Sequence, residues 1–108
     1  MTIGEIGAAR QGAPVALRIE GEMTIYRAAE LKGVLDDALA AAVAGAQALI
    51  LDLSQVTEFD SAGVQLLLVA RREAERHGQA LRLAACSPAV HEVFGLTGLA
   101  ARFEGEQA

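Results

Sequence analysis

The residues most suited to chemistry are four consecutive ones, Asp60, Ser61, Ala62 and Gly63, in the segment LDLSQVTEFDSAGVQLLLVARREAERHG. They join an apolar stretch typical of a strand to a periodic stretch typical of a helix. A segment that only joins a strand to a helix does not need an acid, a hydroxyl and a glycine together. Three chemistries are compatible with these residue types: a nucleophilic serine, a catalytic aspartate, or a serine that is itself modified.

A nucleophilic serine is disfavoured by the residues around it. On a strand-to-helix turn such a serine usually lies in the pattern G-x-S-x-G, and here Phe59 replaces the first glycine. The serine also needs a histidine as base. His77 follows at the far end of the predicted helix, about 24 Å away by helical rise. His91 belongs to a later helix, so neither histidine is placed to activate Ser61.

Aspartate chemistry is disfavoured at Asp60 and at Asp52. Aspartic proteases carry D-S/T-G in an all-β fold, whereas Ala62 interrupts that pattern here. Asp52 lies at the end of an apolar strand, as the phospho-accepting aspartate of a receiver domain does. That chemistry needs an acidic pair for Mg²⁺ and a late lysine, and the sole lysine is Lys32 in the first helix. We predict that Asp52 bonds backbone groups of the following turn and that the chain is not an enzyme.

The composition indicates no cofactor or metal and excludes several kinds of partner. One cysteine, Cys86, and two scattered histidines do not form a ligand set. The net charge of -5 disfavours nucleic acid. Arg71, Arg72 and Arg76 alternate with glutamates, which is typical of a solvated helix face. The N-terminus lacks a signal-peptide layout and no uncharged run could span a bilayer, so we predict a cytoplasmic protein without direct membrane insertion.

Alternating strands and helices must position these residues. The periodicity predicts a single α/β domain over residues 1–108, with helices packed on a mixed β-sheet of four to five strands. The strands are predicted at Thr2 to Ile6, in PVALRIEGE up to Gly21, in ALILDL, in ALRLAAC, and in the closing ARFEG. The helices are predicted from Tyr26 to Gly45, from the Ser61 region to Gly78, and after a Ser87 cap with Pro88 in the first turn.

A modified Ser61 fits this placement. Either Asp60 or Ser61 should cap the second helix. A helix N-terminus favours negative charge, so a phosphate on Ser61 would be tolerated there. It would also add nearly two negative charges beside Asp60, which can change partner binding. Gly63 has two interpretations that stay open: it lets a partner backbone approach closely, or it permits tight packing of helix on strand.

Three segments resemble the STAS domain family of bacterial anti-sigma factor antagonists. LILDLSQVTEFDSAGVQLLL resembles the family signature, VALRIEGEMTIYRAAELKGVL its second strand and first helix, and ALRLAACSPAVHEVFGLTGL its last strand and helix. By this resemblance Ser61 aligns with the phosphorylated serine. It implies a partner-binding surface of Glu22, Thr24, Asp60, Ser61, Ala62, Gly63 and Gln65.

The resemblance also implies a circuit. The unphosphorylated antagonist binds a serine kinase that acts as anti-sigma factor, the kinase phosphorylates the serine, and a phosphatase resets it. Thr24, Val64 and Gln65 differ from the residues usual in such antagonists, so a chemotaxis-type signalling kinase is an open alternative. Another is a STAS subunit of a lipid-transport ABC system that docks on the ATPase.

Overall fold

Strands and helices alternate through residues 13–98, the part of the chain that the computed structural model describes. The elements are β1 (Val15–Met23), a 3-10 turn (Ile25–Arg27), α1 (Ala28–Ala44), β2 (Leu49–Phe59), α2 (Ser61–Arg76), β3 (Leu81–Cys86) and α3 (Pro88–Thr97). This order confirms the alternation predicted from the second strand onward. The predicted strands Thr2 to Ile6 and ARFEG lie outside the described residues.

The described sheet has three strands in the order β1-β2-β3, and both pairings are parallel. The prediction of a mixed sheet with four to five strands is therefore not met by the described part of the chain. The parallel pairing has a direct consequence for the site. The carboxyl ends of β1 and β2 meet at one edge of the sheet, with Met23 paired to Phe59. The segments that follow these two strands therefore emerge side by side.

The strands form where side chains alternate between a buried and a more exposed face. In β1, Val15, Leu17 and Ile19 are buried while Ala16 and Arg18 are exposed, as the alternation predicts. The core is built almost entirely from aliphatic residues of all three strands and of the helices. The helix α1 packs on β1, α2 packs on β2 and β3, and α3 packs on β2 and β3. In the described residues, no helix is long and apolar enough to cross a membrane.

The central strand β2 is longer than predicted and irregular. Its pairing with β1 shifts register between Arg18 and Glu20, so that β2 has one extra residue there. In this irregular part the carboxylate of Asp52 accepts the backbone N–H of Ser54 at 2.9 Å. Hydrogen bonds from the hydroxyl and the N–H of Ser54 lower the pKa of Asp52, and the Arg18 guanidinium contributes. The predicted backbone bond of Asp52 is confirmed, but it lies within a strand and not in a turn.

Ion pairs cover the outer face of α2, as the sequence predicts. Arg71 pairs with Glu75 at 3.3 Å, and Arg76 pairs with Glu73. Pairs one turn apart on an exposed helix stabilise it by only a few tenths of a kcal/mol each. Arg72 and Arg76 are exposed and Arg71 is half-buried, so the arginine cluster is a largely solvated face of this helix.

Candidate functional site

The N-terminus of α2 is fixed by the carboxylate of Asp60. One oxygen, Oδ1, accepts the backbone N–H groups of Ala62 at 2.9 Å and Gly63 at 3.3 Å. Asp60 has an extended backbone, as an N-cap residue requires. The sequence left open whether Asp60 or Ser61 caps the helix, and the structure assigns the cap to Asp60.

The same aspartate ties α2 to the turn that follows β1. Its other oxygen, Oδ2, accepts the N–H of Ile25 at 3.2 Å. Its backbone N–H donates to the carbonyl of Met23 at 3.3 Å. Residues far apart in sequence are thus held at one corner of the molecule, which we call the Ser61 corner: Met23 to Tyr26 together with Asp60 to Gly63.

Ser61 is the first residue of α2 and its side chain is exposed. Because Asp60 already accepts the N–H groups of the first turn, the Ser61 hydroxyl is not needed as a cap. Its hydroxyl forms no hydrogen bond with any of the described residues. The hydroxyl is therefore accessible to solvent at the N-terminus of α2.

Gly63, the last residue of this corner, is buried. A Cβ added to it would lie 2.7 Å from the carbonyl oxygen of Met23 and 2.7 Å from two ring carbons of Phe59. Real Cβ atoms do not approach other atoms so closely. Of the two interpretations of Gly63, the structure supports tight packing of helix on strand, and the glycine does not lie on the surface as a partner contact.

Two further predicted contact residues are Glu22, near the end of β1, and Thr24, directly after it. The Thr24 side chain is buried and its hydroxyl donates to the Glu22 carboxylate at 2.6 Å. Glu22 is half-buried. Thr24 therefore shapes the turn and leaves little of its own surface for a partner, whereas Glu22 is partly accessible.

The buried side chain of Arg27 stabilises the turn after β1. The sequence did not predict this role. The Arg27 side chain is buried, and Nη1 donates to the carbonyl oxygens of Glu20 at 3.1 Å and Glu22 at 2.8 Å. Its Nε donates to the Glu30 carboxylate at 3.2 Å. The carbonyls at the end of β1 thus gain donors, and α1 begins without a side-chain cap of its own.

Two apolar side chains at the corner were not predicted to be exposed. Ile25 is 66% exposed and Tyr26 is 89% exposed. Beside them, Ala62 is half-buried and Gln65 is exposed on α2. A turn that hydrogen bonds already hold in place loses little conformational entropy when a partner binds. Large exposed apolar side chains on such a turn are therefore typical of a contact surface. The signal in the sequence was the pair of apolar residues in the short link between strand and helix.

Ser61 lies far from His77, one of the two histidines that could serve as its base. His77 directly follows the last residue of α2, so it lies about 24 Å from Ser61 by helical rise. Among residues 13–98, no group of three or more His, Cys, Asp and Glu side chains could hold a metal ion. Both carboxylate oxygens of Asp60 already accept backbone N–H groups.

Replacing Asp60 by alanine is expected to lower the free energy of unfolding by about 1–2 kcal/mol, since the cap and the bond to Ile25 are both lost. Asp60→Asn keeps an acceptor oxygen and should cost less than about 0.5 kcal/mol. Ser61→Ala should stay within about 0.5 kcal/mol of the parent. Urea denaturation measures all three. If Ser61→Ala cost as much as Asp60→Ala, the assignment of the cap would be wrong.

This chain is similar to known proteins both in sequence and in fold. A family model described as "Mlab, STAS domain" matches residues 6–103. An anti-sigma factor antagonist from Mycobacterium paratuberculosis superimposes with a TM-score of 0.76 at 22% identity, over 93% of this chain and 80% of that one. The anti-sigma factor antagonist SpoIIAA in its unphosphorylated form gives a TM-score of 0.69 at 26% identity, over 89% of this chain and 81% of that one. The chain belongs to the STAS domain family.

Proposed function

We propose that this protein is a phosphorylation-controlled partner-switching protein. In its unphosphorylated form it binds a serine kinase that also acts as an anti-sigma factor or as a chemotaxis-type signalling kinase. Phosphorylation of Ser61 releases that partner, and a phosphatase resets the serine. The domain itself contributes no catalytic residue. The structural likeness to two anti-sigma factor antagonists supports this class of function.

The observation that carries the proposal is the unequal accessibility of the serines. The sequence contains three, and all lie in the described part of the chain. Ser87 is buried and caps α3 through a bond from the N–H of Val90. Ser54 is half-buried in β2 beside Asp52. Ser61 is exposed, so it is the serine that a kinase can reach without unfolding the domain.

The placement of Ser61 also favours an effect on binding over an effect on folding. A phosphate carries about 1.5 to 2 negative charges at neutral pH. It would stand beside the Asp60 carboxylate, which already accepts the N–H groups of the first turn. The phosphate would therefore remain directed to solvent and change the surface that a partner meets.

Incubation of the pure protein with ATP and a purified kinase of the anti-sigma type is expected to place one phosphate on Ser61. Peptide mass spectrometry locates it, and Ser61→Ala should accept none. The same variant keeps the fold, because the serine side chain forms no cap. Phosphate on Ser54 or Ser87, or full phosphorylation of Ser61→Ala, would refute the proposal. Recovery of an ABC ATPase in place of a kinase from native cytosol would favour the transport alternative.

A further inference from the structure

An apolar groove runs between α1 and α2 and begins at the Ser61 corner. At that end it has a volume of about 290 Å³. Its walls there are formed mainly by the apolar side chains of Ile25, Ala28, Leu35, Leu66 and Val69. A second depression of about 610 Å³ continues it and shares Lys32, Asp36 and Val69 with the first. The two together make one continuous groove.

The length of the groove fits a helix. On α1 its lining extends from Ala28 to Ala44, which spans about 24 Å at the helical rise. On the other side it extends from Ala62 in α2 to His77, the residue that follows α2, over a similar distance. Small alanines recur along both walls and leave room for the backbone of a third helix. A helix of about 15 residues would fill the groove, as in other helix-in-groove complexes.

The charges of the chain argue against a second copy as the occupant. Each copy carries a net charge of -5, and Glu22 and Glu58 are paired near the ends of β1 and β2, next to the Ser61 corner where the groove begins. Two copies would bring these acids together, and an anionic membrane surface would be repelled for the same reason.

The acids further along the groove indicate where a basic partner would be held. Asp36 lines the middle of the groove and Glu73 lines its far part. Asp36 pairs with Lys32 at 2.9 Å and Glu73 pairs with Arg76, but both pairs are exposed. Exposed ion pairs contribute little stability, so an incoming cation can share these carboxylates at low cost.

We propose that this groove binds an amphipathic helix of the partner protein, with its apolar side chains near the Ser61 corner and a lysine or arginine over Asp36 and Glu73. The identity of that partner as the kinase rests on the proposed function. The groove also explains how phosphorylation acts on binding. Ala62 and Gln65 line its apolar end directly after Ser61. A hydrated phosphate there opposes burial of the partner's apolar side chains.

The test uses a fluorescently labelled synthetic helix of about 15 residues, with leucines along one face and lysines flanking that face at one end. It should bind the unphosphorylated protein, and Val69→Lys should weaken binding at least about tenfold by placing a charge in the middle of the groove. Leu96→Lys is the matched control, since Leu96 is 82% exposed on α3 and does not line the groove. A peptide with glutamates in place of the lysines should bind at least about tenfold more weakly.

Absence of peptide binding, or equal weakening by Val69→Lys and Leu96→Lys, would overturn the groove as the docking site. Equal binding of the lysine and glutamate peptides would overturn the basic character of the occupant. The experiment uses no kinase and no phosphate, so its failure is distinct from failure of the proposed switch. If the peptide binds in the groove and no kinase phosphorylates Ser61, the groove is supported as the docking site and the proposed switch is wrong.

Discussion

Replacement of Gly63 by alanine is expected to lower the free energy of unfolding by about 2–3 kcal/mol. The added Cβ would lie 2.7 Å from the Met23 carbonyl oxygen and from the Phe59 ring, well inside ordinary contact distance. Neither neighbour can move freely. The Met23 carbonyl accepts the N–H of Asp60, and the Phe59 ring packs edge-on against Phe94 with centroids 5.9 Å apart. The first turn of α2 must shift instead.

Gly33→Ala is the matched control for this change. Gly33 lies within α1, and a Cβ added there would meet nothing within 4 Å. The substitution should stabilise the domain by about 0.5–1 kcal/mol, because alanine favours the helix over the unfolded chain. Urea denaturation followed by circular dichroism should therefore give changes of opposite sign for the two variants. A Gly63→Ala protein as stable as the parent would contradict the close approach of α2 to the end of β1.

A shift of the first turn should also disturb the site. The N–H groups that Asp60 accepts belong to that turn, and its other oxygen holds Ile25. Moving the turn therefore changes the position of Ser61 relative to the exposed pair Ile25 and Tyr26. We expect a kinase to phosphorylate Gly63→Ala more slowly than Gly33→Ala, even at a temperature where both are folded.

Local patterns were sufficient for most of the fold. The alternation in β1, the cap and proline that begin α3, and the apolar periodicity of α1 each depend on residues close together in sequence. The full length of β2 and its irregular register could not be predicted, because they depend on pairing with distant strands. Sheet membership is a tertiary property, and the sequence gave only candidate strands for it.

The site was predictable to a similar degree. Ser61 stood out because a hydroxyl beside an acid begins an apolar helix, and the structure places it on the surface. The role of Gly63 could not be decided from sequence, since a glycine permits close approach from either side. The buried Arg27 was missed because burial of a charged side chain depends on carbonyls that the end of β1 supplies. Ile25 and Tyr26 were missed because apolar residues normally predict a core.

Phosphorylation of Ser61 is expected to weaken partner binding at least about a hundredfold, which corresponds to about 2.7 kcal/mol. The phosphate adds up to about two charges beside the Asp60 carboxylate. Oδ1 of Asp60 already accepts the N–H groups of Ala62 and Gly63 in the first turn, and Oδ2 accepts the N–H of Ile25. The nearby Arg27 is buried beneath the turn and holds the carbonyls of β1. A desolvated contact at this corner would thus leave the phosphate poorly compensated, which commonly costs several kcal/mol.

Titration calorimetry of the partner kinase against matched forms measures this effect. Ser61→Ala should bind like the unmodified protein, because the Ser61 hydroxyl forms no hydrogen bond to the residues that the structure describes. Ser61→Asp should bind less tightly, although one carboxylate carries less charge than a phosphate. Ala41→Asp adds the same single charge to an exposed position on α1, about 20 Å along the helix from Ala28, and should bind like the parent. Equal affinities for Ser61→Ala, Ser61→Asp and the phosphorylated protein would show that this serine controls no interaction. A similar loss in Ala41→Asp would show that net charge, and not the Ser61 corner, determines binding.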